Sequence, residues 1–113
     1  MIIKHKGRKL KIGVKKCGFA RKFFGLMFRS RKTENLLFEF DKNEIADLHS
    51  FFVFFSFLVL WLDEENNVLE YEIVRPFRVR ISSRKRFTKI VELPFNDNNK
   101  EIFGFFVGKE RFK

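Results

Sequence analysis

The sequence predicts a mainly β protein, a small antiparallel barrel or sandwich with one short helix in its N-terminal half, folded as a single domain over residues 1–113. Three observations predict it. Apolar and charged residues alternate with period two in several short runs, the signature of strands with one face inward. Turn-forming residues interrupt those runs at short, regular spacing, as in small barrels and sandwiches. The length of 113 residues leaves room for one core, and 45% hydrophobic residues with 18 Phe supply enough apolar surface to offset the entropy of ordering the chain.

The elements follow in chain order. Ile3 and His5 alternate with Lys4 and Lys6, then Leu10, Ile12 and Val14 alternate with Lys9, Lys11 and Lys15. This predicts a hairpin turning at Gly7. Ala20, Phe23, Phe24 and Met27 fall at i, i+3, i+4 and i+7, the stripe of the short helix. Leu36 to Phe40 is a short strand, and Asp41 followed by Glu44 suits a capping box for one helical turn.

Residues 50–62 pass without a charge. Phe, Val, Leu and Trp with no 3.6 period favour a strand buried on both faces. One strand over residues 51–62 would run about 40 Å, longer than the roughly 35 Å diameter of a domain this size. It must therefore bend or break, and Ser56 is the natural place. The acidic turn at residues 63–67 sends the chain back through Val68 to Val74, with Leu69, Tyr71 and Ile73 on one face and Glu70 and Glu72 on the other. Arg78 and Arg80 alternate with Val79 and Ile81 as a charged edge strand, followed by a basic loop at Ser82 to Arg86. Phe87 to Leu93 forms another strand ended by Pro94, Asn96 to Lys100 a polar loop, and Ile102 to Val107 a last apolar segment containing Gly104. Seven to nine short strands result.

Charge is unevenly distributed. The net charge is +10, and residues 1–33 hold twelve Lys or Arg and no acid. Residues 34–74 hold ten acids and one Lys, and residues 75–113 hold eleven Lys or Arg against four acids. A basic protein attracts polyanions through counterion release, so nucleic acid, an acidic protein surface and anionic lipid are all candidate partners. The apolar run is too short for a spanning helix, which needs about 20 residues, because His49 and Asp47 precede it and three carboxylates follow. No signal-peptide core is present at the start, and the one Cys excludes an internal disulfide framework. A cytoplasmic setting is expected.

The order of features resembles a known family. Ala20-Arg-Lys-Phe-Phe-Gly-Leu-Met-Phe-Arg29 is similar to the short helix and Gly-Leu-Met-x-Arg segment of domain of unknown function 192, and Leu36-Leu-Phe-Glu-Phe40 to its Met-Leu-Phe-x-Phe strand. His49-Ser-Phe-Phe-Val53 and Phe57-Leu-Val-Leu-Trp-Leu-Asp63 resemble its aromatic strand and the hydrophobic strand ending in Asp. Glu92-Leu-Pro94 resembles its Glu-Leu-Pro segment, and Gly104 and Gly108 sit near its terminal Gly-containing strand. The resemblance implies a small β-rich domain and no particular activity. Where many members have Trp-Met-x-Asn-Thr and Pro-Leu-Asp, this chain has His49-Ser-Phe-Phe52-Val53 and Ser56-Phe-Leu58, so polar groups that could line a family pocket are apolar here.

Catalytic constellations are scarce. The chain lacks a Gly-rich phosphate loop and a His-Glu-x-x-His motif, so no catalytic residue, metal site or cofactor is assigned. Cys17 and His5 are separated by a strand and a turn, and Cys17 reads as a small buried hydrophobe. Three functions remain. The first is a non-enzymatic binding module in which Lys9, Lys11 and Lys15 converge with Arg78, Arg80, Arg84, Lys85 and Arg86 to dock an acidic protein or RNA. The second is an enzyme or small-ligand binder with a pocket built on Arg29, His49 and Glu92. The third is a structural or oligomerising domain, since 18 Phe exceed what one small core needs. The binding module is preferred.

Overall fold

The computed structural model describes residues 1–17, 34–40, 55–76 and 86–107. The expected helix on Ala20 to Met27, the capped turn at Asp41, the strand residues 51–54 and the edge strand on Arg78 to Ile81 lie outside the described residues.

Strands β1 (Ile2–His5) and β2 (Arg8–Lys11) form the expected antiparallel hairpin, with Ile3 opposite Leu10 and Lys4 opposite Lys9. Its two-residue turn is Lys6-Gly7, with φ of 51° and 77°. Two positive values in succession match a primed turn, whose twist suits antiparallel strands. Gly7 adopts its value at no steric cost, whereas Lys6 carries a Cβ there. Reciprocal backbone bonds between Met1 and Ile12, each 2.9 Å, close the open end.

A second, five-stranded sheet contains β3 (Lys15–Lys16), β4 (Leu36–Glu39), β5 (Phe57–Leu62), β6 (Val68–Val74) and β7 (Lys89–Pro94). Its spatial order is β3-β4-β7-β5-β6, so β3 and β6 are edges and no closed barrel is seen among the described residues. The architecture is mainly β and sandwich-like. All pairings within this sheet are antiparallel except β3 with β4, which run in parallel. That exception corrects the all-antiparallel expectation. The chain at residues 17–35 between these strands is long enough for the crossover that parallel neighbours require.

Strand β5 begins at Phe57, so the long apolar run does break at Ser56, whose carbonyl accepts the Phe95 N–H at 3.0 Å. All six residues of β5 are buried because both faces of the sheet are covered. On one face Leu36, Phe38, Phe57, Val59, Trp61, Val74 and Ile90 cluster with Cys17. On the other, Leu37, Leu58, Leu60, Leu62, Val91 and Leu93 meet Ile3 and Ile12 from the hairpin. Full burial of such a side chain stabilises the fold by about 1.5–3 kcal/mol. The pairing of β5 with β6 shifts between Trp61 and Leu62, since Trp61 faces Glu70 while Leu62 faces Val68. Leu69 is thus the extra residue of a bulge, and Val68 and Ile73 pack on the same cluster despite their odd spacing.

The last apolar segment, which the family resemblance sets near a terminal Gly-containing strand, is a helix. A 3₁₀ turn at Asp97–Asn99 leads into α1 (Lys100–Val107). Ile102, Phe103 and Phe106 join the second cluster, a spacing of one and then three that only a helix puts on one stripe. Gly104 costs about 1 kcal/mol in a helix interior, and the burial of its three apolar neighbours outweighs that. The single described helix is therefore C-terminal, and the polar loop at Asn96 to Lys100 is its entry.

Candidate functional site

The hairpin carries the densest described charge. Alternation turns Ile3 inward, where it is fully buried, and leaves Lys4, Lys9 and Lys11 exposed on the opposite face, with Lys6 and Arg8 exposed at the turn. Lys4 and Lys9 stand directly opposite each other. Like charges in that position destabilise a strand pair. None of Lys4, Lys6, Lys9 or Lys11 forms an ion pair with a carboxylate among the described residues. Lys9 and Lys11 therefore share one face. Lys15 is exposed on the edge strand β3 of the other sheet, where its neighbour Lys16 pairs with Glu39 at 3.5 Å. Sequence reasoning omitted Lys4 and Lys6, although the same alternation that singled out Lys9 and Lys11 marks them.

The other predicted contributors divide differently. Arg29, His49, Arg78, Arg80, Arg84 and Lys85 lie outside the described residues. Arg86 is exposed and lines a recess of about 400 Å³ with Asp63, Glu64, Glu65, Phe87 and Thr88. Three carboxylates there offset its charge. Asp63 organises the turn beneath: its carboxylate accepts the backbone N–H of Glu65, the backbone N–H of Asn67 and the Asn67 side-chain amide, each at 2.9 Å. Burial pushes the Asp63 carboxyl up, but the hydrogen bonds from Asn67 and Glu65 and the field of Lys4 outweigh it and hold it below its ordinary value. Lys89 then ties this turn to β7 through Asn66 Oδ1 at 2.6 Å.

Glu92, the third pocket candidate, sits mid-strand in β7 between Leu36 of β4 and Val59 of β5. It is 4% exposed, and burial pushes its carboxyl up to about 8. At neutral pH it is mostly a neutral acid. Cys17 lies in the cluster on one face of the sheet, while His5 contacts Phe106 of the opposite cluster, so the two do not form a thiol–imidazole pair.

A group of rings beside the hairpin was not foreseen. The His5 ring lies 5.6 Å from Tyr71, 6.1 Å from Phe105 and 5.2 Å from Phe106, and the Arg8 guanidinium carbon stands 4.8 Å over Phe105. Tyr71 is 37% exposed on the edge strand β6. A chain of amides supports the helix below: Asn99 donates to Pro94 O at 2.7 Å and Asn35 Oδ1 at 2.8 Å, and Asn35 donates to Gly13 O at 2.9 Å. Gly13, Asn35 and Asn99 line a cleft of about 600 Å³.

This small β-rich architecture places the protein in a recognisable class. A family profile matches residues 1–101, so the chain belongs to domain of unknown function 192, described as an uncharacterized ACR. No curated protein matches it. Among solved structures it is similar to a protein of unknown function from Novosphingobium aromaticivorans DSM 12444, at 12% identity and a TM-score of 0.69 over 82% of this chain and 69% of the other. That likeness is one of fold. No helix among the described residues is long and apolar enough to cross a membrane.

Proposed function

We propose that this protein is a cytoplasmic, non-enzymatic binding module that takes a polyanion on the outward face of its N-terminal hairpin. The observation that carries the reading is the cross-strand pair Lys4 and Lys9, flanked by Lys11 and Lys6 and joined to no carboxylate by an ion pair among the described residues. Opposed lysines cost a hairpin stability, and a polyanion that neutralises them recovers that cost and gains counterion release. Lys15, on β3 of the other sheet, is not counted in this face, and the buried thiol of Cys17 suits a reducing compartment. Arg86, among carboxylates, is not part of this face.

The test is a fluorescence anisotropy titration of labelled single-stranded RNA with wild type and with the variant Lys4→Glu/Lys9→Glu/Lys11→Glu. All three side chains are exposed, so the fold is retained, and binding should be abolished in the variant. Equal affinity for the two proteins would overturn the reading.

A further inference from the structure

We infer that the outward face of the hairpin docks on an anionic lipid bilayer, with Ile2 as the side chain that enters the headgroup region between lysines. This rests on the polyanion-binding reading and names its ligand. The register sets four outward side chains in two rows, Ile2 opposite Lys11 and Lys4 opposite Lys9, while Ile3, His5, Arg8 and Leu10 turn to the other side. Ile2 is 50% exposed, one of two large hydrophobic side chains left in water among the described residues, and Lys4, Lys9 and Lys11 are all exposed. A lysine lays its methylene stem along apolar surface while its ammonium stays in water. Ile2, with Lys11 across from it and Lys4 next along the strand face, therefore gives an apolar footing with a cationic rim.

Size and chemistry select the occupant. Two strands of four residues span about 13 by 10 Å, at roughly 3.3 Å per residue and 4.8 Å per strand. A stable protein interface takes roughly 800 Å² from each partner, several times that area. A nucleic acid engages the lysines through its phosphates and leaves Ile2 in water, since isoleucine has no ring on which a base can stack. A bilayer satisfies both parts of the face. Its anionic headgroups favour each lysine by about fivefold in affinity, and the boundary between headgroups and acyl chains takes the apolar side chain. The hairpin face carries no acid of its own, but described acids flank it: Lys4 lies within the field of Asp63, and Lys11 shares a cleft with Glu34, Asp97 and Glu101. Those neighbours dilute the attraction of charge alone, so the exposed Ile2 is what turns attraction into attachment.

The experiment is vesicle sedimentation with phosphatidylserine-rich and with pure phosphatidylcholine vesicles, run beside a titration of labelled single-stranded RNA, using wild type, Ile2→Ser and Ile2→Trp. Wild type should sediment with the phosphatidylserine-rich vesicles and stay in solution with phosphatidylcholine. Ile2→Ser should weaken the anionic vesicles by about fivefold and leave RNA within about twofold of wild type. Ile2→Trp, whose ring prefers the membrane interface, should tighten vesicle binding by about threefold. If wild type binds RNA but prefers neither vesicle, or if Ile2→Ser holds anionic vesicles as tightly as wild type, the lipid inference is refuted while polyanion binding stands. A loss in Ile2→Ser that is equal for RNA and vesicles would also refute it. If wild type binds neither RNA nor vesicles, both readings fall. A thermal melt of Ile2→Ser that superimposes on wild type assigns the loss to the surface, and should that variant be unfolded, an Ile2→Trp protein that binds vesicles no tighter than wild type would refute the inference.

Discussion

Replacing Glu92 by Gln should remove a pH dependence of stability that wild type owes to one side chain. The carboxyl is 4% exposed at the centre of the sheet, and its value of about 8 compares with an ordinary 4.5. A folded-state value above the unfolded one means that the native protein holds the proton more tightly. Stability is therefore full below about pH 4.5, falls as pH rises, and levels off above about pH 8. At roughly 1.36 kcal/mol per unit, this one group costs wild type about 2–3 kcal/mol between pH 5 and pH 7, and on the order of 1 kcal/mol more between pH 7 and pH 9. Gln has nearly the same volume and no proton to lose. Urea denaturation of both proteins at pH 5, 7 and 9 should show the variant gaining on wild type at each step. Parallel curves across that range would refute the reasoning, because they would mean that Glu92 titrates normally and its burial is relieved by water.

Two further perturbations test the packing and the acidic turn. Trp61→Ala, at a fully buried position, should cost about 3–5 kcal/mol in urea midpoint analysis, whereas Trp61→Phe should cost far less. The Trp61 indole N–H is buried with no hydrogen-bond partner among the described residues, so Phe removes an unsatisfied donor while leaving a smaller cavity. Asp63→Ala strips three hydrogen bonds from the turn and should cost about 1–3 kcal/mol near neutral pH. Because the Asp63 value is lowered in the fold, the difference from wild type should persist above its ordinary 3.8 and shrink as pH falls below that, which acid-titrated thermal melts can follow.

Much of the fold was legible because period-two alternation survives in the sequence wherever one face of a strand is wet. The hairpin at Gly7 and the return strand on Val68 to Val74 are such cases. The break at Ser56 followed from length alone, since no domain of this size holds a 12-residue straight strand. Three features were hidden for physical reasons. Ile102 to Val107 is nearly all apolar, so it carries no contrast between faces, and Gly104 disguises its helix. The parallel pairing of β3 involves two residues, Lys15 and Lys16, too few to show any period. The bulge at Leu69 depends on a register that only the neighbouring strand sets.

The candidate surface was half legible. Lys9 and Lys11 followed from alternation, but the group of rings around His5 did not, because it brings Tyr71 of β6 and Phe105 and Phe106 of α1 to the hairpin through contacts far apart in sequence. Phe105 was masked by the same apolar run that hid the helix. The separation of Lys15 from the hairpin, and of Arg86 into an acidic recess, also depends on contacts distant in sequence.

The salt dependence of RNA binding, measured on wild type and on Lys4→Glu/Lys9→Glu/Lys11→Glu by the same titration, tests the central claim most directly. Four hairpin lysines on four phosphates of a single strand give a slope of log K against log salt near −2.8, or about a 50-fold loss of affinity from 50 to 200 mM. Wild type should show that loss. A wild-type affinity unchanged by salt, or a reversed-charge variant with the same slope, would contradict it.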